Sequence, residues 1–120
     1  MEKNVLGTPL EPCSLNPLTG YFRDGSCANR GDENCSHLVC IYADDEYLQY
    51  LKRVGNDLIT PMKQYNFDGV KDGQSWCLSA PWFLKSIEEG QKPKIFLHST
   101  HERLLEVISL DTLKKYALDL

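Results

Sequence analysis

Seven glycines and prolines, Gly7, Pro9, Pro12, Pro17, Gly20, Gly25 and Gly31, punctuate the first 36 residues and break both the helical and the strand periodicity. Close to a third of the 120-residue chain therefore reads as one long ordered loop. A loop of this length is uncommon in a compact domain, and when ordered it is often functional. The same segment is crowded with sulfur. Cys13, Cys27 and Cys35 lie in it, His37 and Cys40 follow directly, and only Cys77 stands apart.

Regular structure is legible beyond residue 36. Leu38–Ala43 is rich in strand formers and too short for a buried helix, which predicts a buried strand. Asp44 or Asp45 caps the helix that follows, in which Tyr47, Leu48, Leu51 and Val54 recur at helical spacing before Gly55 stops it. Residues 56–75 read as a second irregular crossing. Trp76–Ser79 reads as a short strand, Pro81 opens a helix that Gly90 ends, and Lys94–Ser99 reads as a third strand, with parallel pairing open. Thr100 is placed to cap a short helix over 101–106, and Ser109 another in which Leu110, Leu113, Ala117 and Leu120 share a face. The expected architecture is a single α+β domain over residues 1–120, with a small sheet of about three strands, several short helices and extensive ordered loops.

Composition excludes several classes. The 42% hydrophobic and 25% charged content fits a globular chain, and no apolar run approaches a bilayer span. Thirteen basic against seventeen acidic side chains leave a charge of −4, which provides no field to gather nucleic acid. Met1-Glu2-Lys3-Asn4 leads into the chain without the apolar stretch of a secretory signal, so a cytoplasmic location is expected.

Five cysteines cannot all pair within one monomer, and a reducing compartment keeps most of them as thiols. A structural zinc site needs two close ligand pairs. Here Cys35 and Cys40 make one loose pair around His37, while thirteen residues separate Cys13 from Cys27. Free, partly buried thiols are therefore preferred to zinc; if a metal binds, the ligands to test are Cys13, Cys27, His37 and Cys40. A thiolate nucleophile needs a cation or helix N-terminus nearby, which Cys27, after Arg23, and Cys77, ahead of Pro81, each have in sequence. His37 or His101 would act as base.

Three further groups carry polar chemistry. His101-Glu102 begins like a zinc-protease helix, but Leu105 stands where the second histidine belongs. The pair is then either an acid–base couple at the end of the third strand or a helix first turn in which His101 caps and Glu102 suits the dipole, and the second is preferred. Arg23 and Asp24 either bind an anion or form a turn in which Asp24 holds backbone amides and pairs with Arg23, again with the second preferred. Asn56 and Asp57 end a helix in an Asx turn or face a cleft, and Trp76 and Trp82 are core or rim aromatics.

The blocks Asn4-Val5-Leu6-Gly7, Pro12-Cys13-Ser14, Thr19–Gly25, His37-x-Val39-Cys40, Gly55–Leu58, Trp76-Cys77-Leu78 and Thr100-His101-Glu102 together resemble the bacterial domain-of-unknown-function family number two-two-three-seven. The resemblance covers nearly the whole chain and implies no activity. The family pattern has vicinal cysteines where this chain has Ser26-Cys27, and Cys-Leu-Cys where it has Cys77-Leu78-Ser79, so a mechanism needing either pair is ruled out; Cys35 stands where the pattern has a small non-cysteine residue. The function expected is binding of a small molecule or peptide in one polar cleft built from loops. Arg23 and Asp24 would orient the ligand, and Asn56, Asp57, Trp76, His101 and Glu102 would contact it. The alternatives are a thiol-dependent enzyme using Cys27 or Cys77 with His101, and a zinc-stabilised interaction module.

Overall fold

Three antiparallel-paired strands organise the computed structural model, which describes residues 2–120. Strand β1, Val39–Ala43, lies centrally between β2, Gln74–Leu78, and β3, Lys94–Ile95. Both neighbours run antiparallel to β1, so β2 and β3 point the same way with β1 inserted between them. The link from β2 to β3 is a crossover through a helix, but neither strand pairs with the other. The expected third strand is cut to two residues because a 3-10 turn over Leu97–Ser99 takes up the chain directly after it.

Helix α1, Asp45–Arg53, starts where Asp44 Oδ1 accepts from the Tyr47 amide at 2.8 Å. It buries Tyr47, Leu48, Tyr50 and Leu51. Helix α2, Ala80–Glu88, has Pro81 in its first turn, where a missing amide hydrogen breaks no helical bond. Helix α3, Leu110–Lys114, is capped by Ser109, whose Oγ accepts from the Thr112 amide at 3.2 Å, and it buries Leu113. Its apolar face is shorter than the spacing suggests, since the helix stops at Lys114 and Leu120 is 71% exposed. Thr100 is not a helix cap. Its hydroxyl donates to the Phe96 carbonyl and accepts from the Cys40 amide, while His101 caps the 3-10 turn over Glu102–Glu106.

Strand alternation divides the sheet into two chemically different faces. Val39, Ile41, Ala43, Trp76 and Leu78 join the main apolar core with Leu48, Leu51, Phe83, Ile95 and Leu104. The opposite face carries Cys40 and Cys77, which are direct cross-strand partners. Onto this second face the N-terminal coil folds, held by two disulfides, Cys13–Cys40 and Cys27–Cys77. The reading of mostly free thiols is corrected here: only Cys35 is unpaired, and its buried Sγ donates to the Ala28 carbonyl. Four cysteines lie close because adjacent strand positions each receive one from the coil. No periodicity signals that.

The coil also closes the edge of β2, where the Thr19 hydroxyl accepts from the Cys77 amide at 2.9 Å. Gly20 permits the approach. Its φ is +98°, and a Cβ there would collide with the Ser26 carbonyl. At the other end Asn4, fully buried, donates through Nδ2 to the Thr8 hydroxyl and to the Pro9 and His98 carbonyls. The long loop is ordered because its polar groups are satisfied one by one.

Candidate functional site

A surface hollow of about 490 Å³ opens where the coil meets the segment after β3, and Cys13, Phe96, His98, Ser99 and Asp119 line it. Backbone pairing sets this meeting. The Glu11 amide donates to the His98 carbonyl at 3.0 Å, and Ser99 Oγ donates to the Pro12 carbonyl at 3.0 Å, which brings Cys13 alongside the His98 segment. The Phe96 amide donates to the Cys40 carbonyl, so both ends of the Cys13–Cys40 disulfide are anchored to the same stretch of chain. Cys13 is partly exposed. Its partner Cys40 is 0% exposed, and Cys27 and Cys77 are 0% and 1% exposed.

His98 and Asp119 form a carboxylate–imidazole pair, with His98 Nδ1 and Asp119 Oδ2 at 2.8 Å. Asp119 also accepts from the Leu97 amide at 2.7 Å and the His98 amide at 3.0 Å, which fixes the carboxylate at the start of the 3-10 turn. Burial alone would raise its pKa; the hydrogen bonds from the His98 backbone and ring and from Leu97 outweigh it and hold the carboxyl below the ordinary range. An ionised carboxylate only accepts, so Nδ1 carries the proton in this pair and Nε2 is the nitrogen left to exchange one. The hollow thus combines a partly exposed half-cystine with an oriented imidazole. Neither His98 nor Asp119 stands out in the sequence. His98 lies just ahead of His101, in the stretch where a cleft is expected, but its carboxylate stands 21 positions further along the chain.

The expected metal and nucleophile sets are redistributed. Of Cys13, Cys27, His37 and Cys40, the three cysteines are half-cystines, which present no thiolate to a metal. The Sγ atoms of Cys13, Cys27 and Cys77 lie within 4.8 Å of one another, close as a consequence of the two disulfides. His37 lines a separate hollow with Asn56, Trp76 and Trp82. Burial, then the charge of Arg23, lowers its pKa, and its buried Nδ1 has no hydrogen-bond partner among the described residues. Cys27 and Cys77, expected as alternative nucleophiles, are bonded to each other. The Cys35 thiol is pushed up by burial, which keeps it protonated and unreactive.

His101 is 3% exposed, and both ring nitrogens are engaged. Nε2 meets Glu2 Oε2 at 2.8 Å, and Nδ1 accepts from the Arg103 amide at 3.0 Å. Burial pushes the Glu2 carboxyl up, but hydrogen bonds from His101 and the Arg30 and Asn29 amides prevail, and its pKa is lowered. This is a clamp on the N-terminus, with no nitrogen free for proton transfer. Glu102 beside it is exposed.

The remaining polar residues do not share one hollow. Arg23 lines a cavity with Asn66, Asp68 and Lys71, donates to the Gly20 carbonyl at 2.8 Å and stands over the Trp76 ring at 5.2 Å. Asp24 accepts from the Ser26 amide, as the turn reading has it, but its ion-pair partner is Arg30 at 2.8 Å, in place of Arg23. The left-handed φ of 54° at Arg23 is part of that turn. Asp57 accepts from the Ile59 and Thr60 amides in an Asx turn, and its pKa is lowered chiefly by the Thr60 hydroxyl. These groups hold loops in shape, and each is satisfied locally.

A family model described as an uncharacterized protein conserved in bacteria matches residues 3–117. No curated protein matches the chain. Among the described residues, no helix is long and apolar enough to cross a membrane.

Proposed function

The chain belongs to the DUF2237 family, and on that premise we propose that it is a thiol-dependent protein whose loop-built hollow takes a small thiol or disulfide and exchanges it with the Cys13–Cys40 bond. The observation that carries the reading is the accessibility of Cys13 beside the His98–Asp119 pair while every other half-cystine is buried. It combines the loop-built cleft with thiol chemistry, the alternative read from the sequence, but at Cys13 in place of Cys27 or Cys77 and with His98 in the place given to His101.

His98 Nε2 takes the proton of the entering thiol, and the thiolate attacks Sγ of Cys13, the half-cystine that lines the hollow. The Cys13–Cys40 bond breaks as a mixed disulfide forms, and Cys40 leaves as a thiolate that takes up the proton. A second thiol attacks the substrate sulfur of the mixed disulfide, releasing Cys13 and a substrate disulfide. Two substrate thiols are oxidised and one protein disulfide is reduced; the reverse reaction with a disulfide substrate restores the protein. Asp119 holds the ring in the required tautomer. A cytoplasmic location fits this reading, because disulfides in a reducing compartment are usually catalytic or redox-sensing.

The test is exchange of the folded, oxidised protein with 2-mercaptoethanol or glutathione, followed by acid quenching and peptide mapping. A mixed disulfide on Cys13, with Cys40 released, is expected. A Cys13–Cys40 bond that stays intact while circular dichroism shows a folded protein overturns the proposal.

A further inference from the structure

The buried Cys27–Cys77 disulfide has no place in the exchange just described, yet Cys13 Sγ lies within 4.8 Å of both its sulfurs. Cys40 and Cys77 are directly opposed across β1 and β2. The Cys40 amide and carbonyl bond away from β2, to Thr100 and Phe96, and the Cys77 amide bonds away from β1, to Thr19. This makes them a non-hydrogen-bonded pair, the antiparallel arrangement in which side chains come closest. Four sulfurs of two disulfides therefore share one layer under the coil, and only Cys13 reaches solvent.

We propose that the two disulfides form an internal relay, in which reduction at Cys13–Cys40 is passed to Cys27–Cys77 and the protein stores two electron pairs. The relay rests on the exchange reading for its supply of electrons. Once the outer bond is reduced, the Cys13 thiolate attacks Cys27 or Cys77, forming a disulfide with it and expelling the other as a thiolate, which takes up the proton lost by Cys13. The Cys40 thiolate then attacks Cys13, restoring Cys13–Cys40 and leaving both Cys27 and Cys77 as thiols. Each step breaks one sulfur–sulfur bond and makes one. The whole sequence moves one electron pair inward without an outside oxidant, and a second reduction of Cys13–Cys40 fills the store.

The Cys40→Ser protein isolates the internal step, since its Cys13 begins as a thiol and needs no external reductant. Held at about pH 8, near the ordinary thiol pKa, alkylated and cleaved with trypsin, it yields Cys13, Cys27 and Cys77 on separate peptides, 4–23, 24–30 and 72–85. The relay predicts a linkage of Cys13 to Cys27 or Cys77 in a fraction comparable to the native linkage, with the free thiol shifted onto the cysteine left over. A free Cys13 with an intact Cys27–Cys77 bond in the folded variant overturns it. A second arm uses the wild-type protein with one equivalent of a phosphine: alkylation should spread to Cys27 and Cys77, and should be lost there in Cys13→Ser. Alkylation confined to Cys13 and Cys40, or reduction of Cys27–Cys77 as fast in Cys13→Ser, equally refutes the relay. Wild-type exchange with external thiols but no transfer in Cys40→Ser sinks the relay alone. Transfer in Cys40→Ser without external exchange sinks the role given to the hollow.

Discussion

His98 tests the chemistry at the scale of one side chain. A positioned general base contributes about 10²–10⁴-fold to a proton-transfer step, so His98→Ala should slow thiol exchange at neutral pH by about 100-fold. The rate that remains should simply follow the ionisation of the attacking thiol. An unchanged rate would assign the reactivity of Cys13 to exposure alone. Glu2 offers a second test, of stability. Its lowered pKa means that the unfolded chain binds a proton more readily than the folded one, so its contribution is complete above the ordinary carboxylate range and is lost as pH falls through the lowered value. Glu2→Gln should cost about 2 kcal/mol at neutral pH, the scale of a hydrogen-bonded charge, and the urea midpoints of variant and wild type should converge in acid. Parallel curves at all pH values would mean that the clamp does not depend on charge.

Among elements, α1 gives the cleanest link from local sequence to structure. Asp44 caps its first turn, and also stands 3.1 Å from Lys94 in a partly exposed ion pair. The two roles separate by substitution. Asp44→Ala should cost about 1 kcal/mol through loss of the cap, while Asp44→Asn keeps an accepting oxygen and should stay within about 0.5 kcal/mol, since exposed pairs are worth little. Equal losses in urea unfolding would instead assign the effect to the pair with Lys94. Element identity was legible here because helix α1, strand β1 and the Pro81 start of α2 depend on residues within a turn or two of each other. Element length was less so. Lys94–Ser99 has the composition of a strand throughout, but after Ile95 the Asp119 carboxylate captures the Leu97 and His98 amides and bends the chain into a 3-10 turn. That partner comes from the far end of the chain.

In the whole molecule the two sheet faces have different fates on reduction. Chain-entropy arguments give each disulfide about 3–4 kcal/mol for loops of these lengths. The apolar core under α1 and α2 contains none of the four half-cystines. Full reduction should therefore loosen the coil, which its hydrogen bonds still tether, and spare the core. Hydrogen exchange of the reduced protein should show protection falling across residues 10–36 by at least about 100-fold, a loss of roughly 3 kcal/mol in local stability, with β1, α1 and α2 still protected. Uniform loss across the chain would show that the coil and the core unfold as one unit.

The order of strands and helices, the α+β class and the presence of a long ordered coil were determined by local sequence, because capping, alternation and glycine or proline punctuation act between neighbours. The pairing of Cys13 with Cys40 and Cys27 with Cys77, and the meeting of His98 with Asp119, were decided only in the tertiary structure. Cysteine spacing read alone favoured thiols, and His101 was the more conspicuous histidine because an acidic residue follows it. What separates these cases is range: a side chain's partner across the sheet is set by strand register and by where the coil lands, and both result from packing the whole chain at once.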